Sequence, residues 1–426
     1  MAKYVIVGAS AASIGAVEAI RDVDPVGTIT VISEEPCPQY SRPMISDFVS
    51  GKADFHKMKC RTDDFWKENN VEALTGKKAT ALNLNEKTVQ LEDGEKVAYE
   101  KLLLATGGKP FVPKIEGSDK DGVFTFTTFK DAERLAAKID SINAKAAVVI
   151  GAGLIGISVT EALLKRGLKV TMVELQEKIL SLLLDAKASD LVEAVVRKAG
   201  VDIVTGQSVQ KILGKPGNEG VVGGVILTKG DQVPCDLVIV AIGVVPRMEL
   251  VIGTAVKTTR GIVVDNMMQT NVPDVYASGD VAEAYDFVMN QNRLLPLWPL
   301  AVLEGQIAGY NMAGKKTTYK GGTNMSSLKY FGIPIVSIGL ANPKEDPALE
   351  VLVKYDSERN LYRKIVLKNN VIVGLTLVNC IERAGVLFYL MQNAINVKRF
   401  KQQLLSDDFS LAMLPIGLQR KMCVVQ

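Results

Sequence analysis

Twice along the chain an apolar strand runs into a glycine turn and then into a helical pattern, and this repetition limits what the sequence can fold into. Val5-Ile6-Val7-Gly8-Ala9-Ser10-Ala11-Ala12-Ser13 opens one unit and Val148-Val149-Ile150-Gly151-Ala152-Gly153-Leu154-Ile155-Gly156 opens the other. A β-rich strand follows each helix, at residues 28–32 and 169–173. Strand, tight glycine turn and helix in that order begin a βαβ unit, because the glycine lets the helix fold straight back onto its strand. The two units also close alike, with Ala105-Thr106-Gly107-Gly108-Lys109-Pro110 and Ala241-Ile242-Gly243-Val244-Val245-Pro246.

Between opening and closing, each unit carries short alternating segments (79–84 and 87–91; 208–213 and 224–228) punctuated by Glu92-Asp93-Gly94 and by a Gly/Pro-rich stretch at 214–220, the pattern of an inserted antiparallel meander. After the second unit come a Gly279-Asp280 segment and a helix expected over 299–313. From about residue 320 the pattern changes to alternating strands at 328–339, 349–355, 361–367 and 371–377 and then to helices. The expected fold class is α/β, with two Rossmann-like dinucleotide-binding domains in three layers and a C-terminal α+β domain.

Composition removes whole classes of function. The 426 residues are 47% hydrophobic and 23% charged, ordinary for a soluble globular chain. Fifty Lys plus Arg against 47 Asp plus Glu leave no basic excess, so nucleic acid is not an expected partner. The five cysteines (Cys37, Cys60, Cys235, Cys380, Cys423) are scattered and form no C-x-x-C, which argues for reduced intracellular thiols and against a disulfide framework or a metal site. His56 is the single histidine, so paired-histidine chemistry is excluded. Met1 leads directly into a strand with no signal-peptide pattern, and the longest apolar stretch, 146–164, is interrupted by Gly151, Gly153, Gly156 and Glu161. A cytoplasmic protein without a membrane span is expected.

In the second unit Gly151-x-Gly153-x-x-Gly156 lies between a buried strand and a helix, the context in which this fingerprint has meaning. Its glycines permit a tight turn, close approach of a pyrophosphate and close helix–strand packing, while the helix N-terminus offers free N–H groups. Glu174 ends the next strand, where a carboxylate accepts the ribose hydroxyls and repels a 2′-phosphate. Gly151, Gly153, Leu154, Ile155, Gly156, Glu174, Ala241, Ile242 and Gly243 are the candidate NAD(H) residues, against the alternative of a turn that merely packs and a solvated Glu. The first unit keeps Gly8 but has Ser10 and Ser13 at the other two positions; serine is small enough for the turn, and its hydroxyl can donate to a phosphate.

The Gly8 turn, Ala105-Thr106-Gly107, the Gly151 fingerprint, Ala241-x-Gly243-x-x-Pro246 and above all Thr270-x-x-Pro273-x-Val275-Tyr276-Ala277-x-Gly279-Asp280 occur in the order found in the two-dinucleotide-domain flavoprotein reductases. The chain thus resembles the pyridine nucleotide–disulfide oxidoreductase superfamily over nearly its whole length. The resemblance implies FAD along the first unit, held by Gly8, Ser10, Ala11, Ala12, Glu34 or Glu35, Arg42, Pro43, Ala105, Thr106, Gly107, Gly279, Asp280 and Trp298. It divides the chain into an FAD-binding part (1–112), an NAD-binding domain (113–244), a second FAD-binding part (245–316) and an α+β interface or dimerisation domain (317–426). Trp298 borders the flavin or the nicotinamide, or else serves as interface core.

Pro38-Gln39-Tyr40-Ser41-Arg42-Pro43-Met44-Ile45-Ser46 is similar to the Tyr-x-Arg-Pro-x-Leu-Ser stretch of the rubredoxin, ferredoxin and nitrite reductase branch. Arg42 stands where related oxidases and coenzyme A disulfide reductases carry a redox cysteine, and Cys37, upstream, is the remaining thiol candidate. Asp47 replaces a lysine and Ser158 a glutamate that relatives hold beside flavin and nicotinamide; losing both leaves no unpaired charge. Lys52 is either a substitute cation or a solvated lysine. No metal site is expected. The implied activity is electron transfer between NAD(H) and a rubredoxin, ferredoxin or iron–sulfur subunit by hydride transfer to flavin. The alternatives are an NADH oxidase or coenzyme A disulfide reductase, and an FAD-holding subunit of a larger redox complex. Lys398, Arg399, Lys401, Arg420 and Lys421 either dock an acidic carrier or form a solvated basic face.

Overall fold

The computed structural model describes the backbone of residues 2–37 and 39–423, with side chains as far as Gln419. Along the chain run β1 (Ala2–Val7), α1 (Ala11–Val23), β2 (Ile29–Ser33), β3 (Val71–Thr75), β4 (Lys96–Leu104), α2 (Phe129–Ser141), β5 (Ala146–Ile150), α3 (Leu154–Lys165), β6 (Lys169–Val173), α4 (Ala186–Lys198), β7 (Asp202–Val204), β8 (Leu237–Val240), β9 (Val275–Ala277) and α5 (Trp298–Met312). A five-stranded sheet follows, made of β10 (Met325–Tyr330), β11 (Ile333–Gly339), β12 (Leu349–Asp356), β13 (Leu361–Lys368) and β14 (Val371–Val378). Contacts divide the chain into two compact units, Met1–Pro113 with Thr125–Ile142 and Ile242–Gly322, and Lys114–Phe124 with Asn143–Ala241 and Thr323–Gln426.

In the first unit the parallel strands lie in the order β3-β2-β1-β4-β9. Helices cover such a sheet on both faces, which is why Tyr4 to Val7 and Leu102 to Leu104 are buried without alternation. Val7 pairs with Leu104 and Leu104 with Ala277, so three strands end level and their next residues, Gly8, Ala105 and Ser278, share one edge. Helix α5 crosses α1 backbone to backbone: a Cβ on Gly305 would lie 1.9 Å from the Ala12 carbonyl oxygen, and one on Gly309 2.4 Å from that of Ala16.

Helix α2 groups with this unit, whereas the sequence boundary at residue 113 put it with the next domain. Aromatic packing accounts for the difference. The Phe129 ring lies 4.4 Å from Phe55 and 4.9 Å from Phe48 between centroids, and the Phe129 N–H donates to the Tyr40 hydroxyl at 2.8 Å.

The second unit repeats the arrangement, with parallel strands in the order β7-β6-β5-β8. Its terminal sheet is antiparallel, β10-β11-β14-β13-β12. The segment 328–339, read from sequence as one strand, is a hairpin turning on Phe331 (φ 51°) and Gly332 (φ 82°). Two left-handed residues make the turn that matches strand twist, and a phenylalanine in the first of them conceals it. Ile179, Leu180 and Leu184 share a core with Ile333, Ile335, Tyr362 and Val378. Among the described residues no helix is long and apolar enough to cross a membrane.

Asp185 ties the nucleotide-type fold to this sheet. It caps α4 by accepting from the Ala188 N–H at 3.0 Å, and it also accepts from the Tyr362 hydroxyl at 2.6 Å and the buried Lys364 ammonium at 2.9 Å. Burial alone would raise its pKa, but these donors outweigh burial and hold it below the usual carboxylate range. A depressed folded-state pKa gives stability that is complete above the unfolded value and is lost as pH falls through the folded one. Asp185→Asn is expected to cost about 3 kcal/mol at neutral pH, with the gap in thermal midpoint from the parent closing on acidification. A gap that is constant in pH would refute this role.

Candidate functional site

The carboxyl edge of the first sheet is lined by three turns. Gly8 has φ 118°, and a Cβ there would lie 2.1 Å from the Ala105 carbonyl oxygen, so the turn admits only glycine. Helix α1 begins at Ala11, and its N-cap Ser10 makes no side-chain capping bond, which leaves the hydroxyl and the first-turn N–H groups free for an anion. Ser13 is different. Its hydroxyl donates to the Gly8 carbonyl at 2.7 Å and its side chain is wholly buried, so it braces the turn and has nothing left for a phosphate.

The opposite side of this edge is Ser278-Gly279-Asp280. The Gly279 N–H donates to Glu304 Oε2 at 2.8 Å. Asp280 is half-buried, and among the described residues nothing forms a hydrogen bond or ion pair with its carboxylate; burial raises its pKa against the opposing pull of Arg42. Ser278 Oγ is buried without a partner. A buried unpartnered hydroxyl beside an unpartnered carboxylate is expensive unless a polar ligand completes both. The residues therefore fit FAD: Gly8, Ser10, Ala11 and Ala12 suit a pyrophosphate, and Asp280 suits hydroxyls.

Arg42 is half-buried in a short helical turn with exposed Pro43. It donates to the Thr127 carbonyl at 3.1 Å and pairs with Glu35, which also accepts from the Tyr40 hydroxyl at 2.7 Å. Burial lowers the Arg42 pKa, but Glu35 and Tyr40 more than restore it, so the group stays a fixed cation. Of the two candidate glutamates, Glu35 is thus committed to Arg42, while Glu34, the first residue past β2, is exposed and pairs with Arg247 at 2.7 Å.

Sequence reasoning missed Arg247. Its N–H donates to the Gly107 carbonyl at 2.9 Å, its carbonyl accepts from the Thr106 hydroxyl at 2.7 Å, and its guanidinium reaches the Gly108 carbonyl at 3.3 Å, so it clamps the Ala105-Thr106-Gly107 turn to Glu34. Only its place after Pro246 signalled it. Asp47 accepts from the exposed Lys52 at 3.1 Å, which makes Lys52 a surface partner of Asp47. Trp298 heads α5 and packs partly buried against the core of this unit.

The second unit carries a complete glycine set. Gly151 takes φ 101°, nothing lies within 4 Å of a Cβ on Gly153, and a Cβ on Gly156 would lie 1.9 Å from the Gly151 carbonyl oxygen. Turn, open approach and close packing are thus divided among the three. Glycine also caps α3, whose first residues are Leu154 and Ile155, so the N-cap residue puts no side chain on the helix N-terminus. Glu174 accepts from the Ala152 N–H at 2.7 Å and the Gln176 N–H at 2.9 Å, and each oxygen keeps a lone pair for a ribose hydroxyl. Ala241 is bonded to the Ile150 carbonyl at 2.8 Å, with Ile242 and Gly243 exposed beyond it, and Ser158 is half-buried on α3. In the tail, Lys401 pairs with Glu350 at 2.8 Å, Lys398 and Arg399 are exposed, and the side chains of Arg420 and Lys421 lie outside the described residues.

The roles of the two glycines separate experimentally. Gly153→Val is expected to raise the KM for NADH about tenfold or more with thermal stability near the parent's, because its side chain enters open space. Gly156→Ala should instead lower stability by about 1–3 kcal/mol. Equal effects on both readouts from both variants would refute the division.

Residues 2–305 match the pyridine nucleotide-disulphide oxidoreductase family, and residues 325–395 match the rubredoxin NAD+ reductase C-terminal domain. The chain is 33% identical over 414 residues to NADH-dependent phenylglyoxylate dehydrogenase subunit epsilon of Aromatoleum evansii, covering 96% of each. It is 31% identical over 314 residues to a rubredoxin-NAD(+) reductase of Pseudomonas putida, covering 74% of this chain and 80% of that one. Among solved structures, an NAD-dependent persulfide reductase from A. fulgidus is similar with a TM-score of 0.87 at 26% identity, over 94% of this chain and 78% of the other. With both glycine turns formed and the match running across both units, this chain belongs to the pyridine nucleotide-disulphide oxidoreductase family.

Proposed function

We propose that the chain is an FAD-dependent NADH:acceptor oxidoreductase that exchanges electrons with a one-electron carrier of the rubredoxin, ferredoxin or iron–sulfur-subunit type. The observation that carries this reading is the state of the thiols among the described residues. Cys37, the cysteine nearest Arg42 in sequence, is pushed up to about 11 by burial and by the charge of Glu35. Burial also raises Cys60, and takes Cys235 up to about 12. Disulfide and thiol–peroxide chemistry starts from a thiolate, which such groups do not supply at neutral pH.

Bound FAD supplies the capacity to take two electrons together and give them up singly. The protein's part is to bind and orient. Gly8, Ser10, Ala11, Ala12, Ala105, Thr106, Gly107, Gly279 and Asp280 hold the flavin nucleotide in the first unit; Gly151, Gly153, Gly156 and Glu174 hold NADH in the second. Arg42 adds a fixed positive charge, and no acid, base or nucleophile is required of the chain.

The match of residues 325–395 to a rubredoxin reductase domain supports a small iron-containing partner. The end-to-end relative named as a dehydrogenase subunit supports a partner held within a larger redox complex. Self-association through 317–426 and a cytoplasmic setting belong to the same proposal.

An anaerobic titration with NADH tests it. Bleaching of the flavin band is expected to finish at about one NADH per FAD without a long-wavelength thiolate-to-flavin band. Two equivalents with that band at the midpoint would replace this reading with a disulfide reductase, and rapid stoichiometric NADH oxidation in air would replace it with an oxidase.

A further inference from the structure

The turn that presents Asp280 is held from behind by a carboxyl group that the proposed reaction does not use. Glu304, on α5, is 2% exposed. Its Oε2 accepts from the Gly279 N–H at 2.8 Å, the amide just ahead of Asp280, and its Oε1 lies 3.4 Å from the Tyr319 hydroxyl. No lysine or arginine pairs with it among the described residues.

Burial and a like charge favour the neutral form of Glu304 over the pull of its two hydrogen-bond donors. From the Gly279 turn comes Asp280, a like charge without a partner among the described residues. Tyr319 brings a hydroxyl, and behind Tyr319 stands Asp286, already satisfied by Arg293 at 3.2 Å and by the Val288 N–H at 2.9 Å. Helix α1 faces α5 with Ala12, Gly15 and Ala16, none of them ionisable, and further along with Asp22, which accepts from the Tyr310 hydroxyl at 2.8 Å. Arg42 acts on Asp280 and is committed to Glu35. Burial is the main reason the Glu304 carboxyl is pushed up to about 8, and Asp280 adds to it; the Gly279 N–H and the Tyr319 hydroxyl oppose.

We propose that Glu304 is a positioning residue that takes up a proton when the flavin is reduced and releases it on reoxidation. This rests on the reading that FAD occupies the Gly279–Asp280 turn. Two-electron reduction by hydride adds one negative charge to the flavin; one proton from solvent converts the Glu304 carboxylate to the acid and offsets that charge. Loss of the two electrons to the carrier returns to solvent both this proton and the one that the hydride left on the flavin. Below the oxidised-state pKa the group is protonated throughout and uptake stops.

The flavin midpoint potential of the holoprotein, measured from about pH 6 to about pH 10, reads this out. Its slope is expected to correspond to one proton per electron pair below about pH 8 and to double above it. Glu304→Gln, which keeps an acceptor for the Gly279 N–H, should give the one-proton slope throughout. Titration of the reduced flavin ring itself changes the slope in the opposite sense. A redox-difference infrared spectrum of the parent protein above pH 8 should gain a protonated-carboxyl band on reduction that is missing from Glu304→Gln. A single slope in the parent, a doubling that survives the substitution, or a band unchanged by it would each overturn the inference while the flavin reading stands. A purified chain that binds no FAD would remove that reading and this one with it.

Discussion

The closeness of α5 to α1 is the constraint on which the flavin-side architecture rests. Where the Ala12 carbonyl oxygen stands, residue 305 can have no side chain, and the same holds for residue 309 beside Ala16. At these two positions the helices touch through main chain, and dispersion accumulates over the shared face. That contact carries Glu304 to the back of Gly279, where an added Cβ would lie 3.4 Å from that of Ala12. A helix pair spread by the width of a methyl group would loosen the Gly279–Asp280 turn before it disturbed any sheet.

The two units use one backbone solution and different side chains. Gly8 donates to Ile32 and Gly151 to Val173, both at 2.8 Å, and Ala105 and Ala241 donate back to Val7 and Ile150, also at 2.8 Å. The Gly156 position tolerates no Cβ, yet its counterpart Ser13 fits by giving its hydroxyl to the Gly8 carbonyl. Glu174 turns inward to the Ala152 amide, whereas Glu34 turns to Arg247. A shared origin of the folds is thus compatible with separate tuning of what each one binds.

Much of this was legible in the residues themselves. The order of elements, the four terminal β segments and the division of labour among Gly151, Gly153 and Gly156 follow from local sterics, which a glycine announces by its identity. What was hidden depends on distant partners. Arg247 is an ordinary arginine until the chain brings it to Gly107 and Glu34, and α2 joins the first unit because Phe129 finds Phe48 and Phe55. The turn at Phe331 and Gly332 escaped because an aromatic residue seldom takes positive φ, so alternation appeared to continue through it.

The bonds made by Asp185 bear on how such chains change over evolutionary time. One carboxylate serves a helix start, a tyrosine and a buried lysine drawn from another sheet. Drift at position 185 strands the ammonium of Lys364, and drift at 364 leaves the carboxylate under-compensated, so positions 185, 362 and 364 have to vary as a set. The terminal sheet is consequently inherited with its own nucleotide-type fold, and a graft of this sheet from a relative would have to bring a matching residue 185 with it.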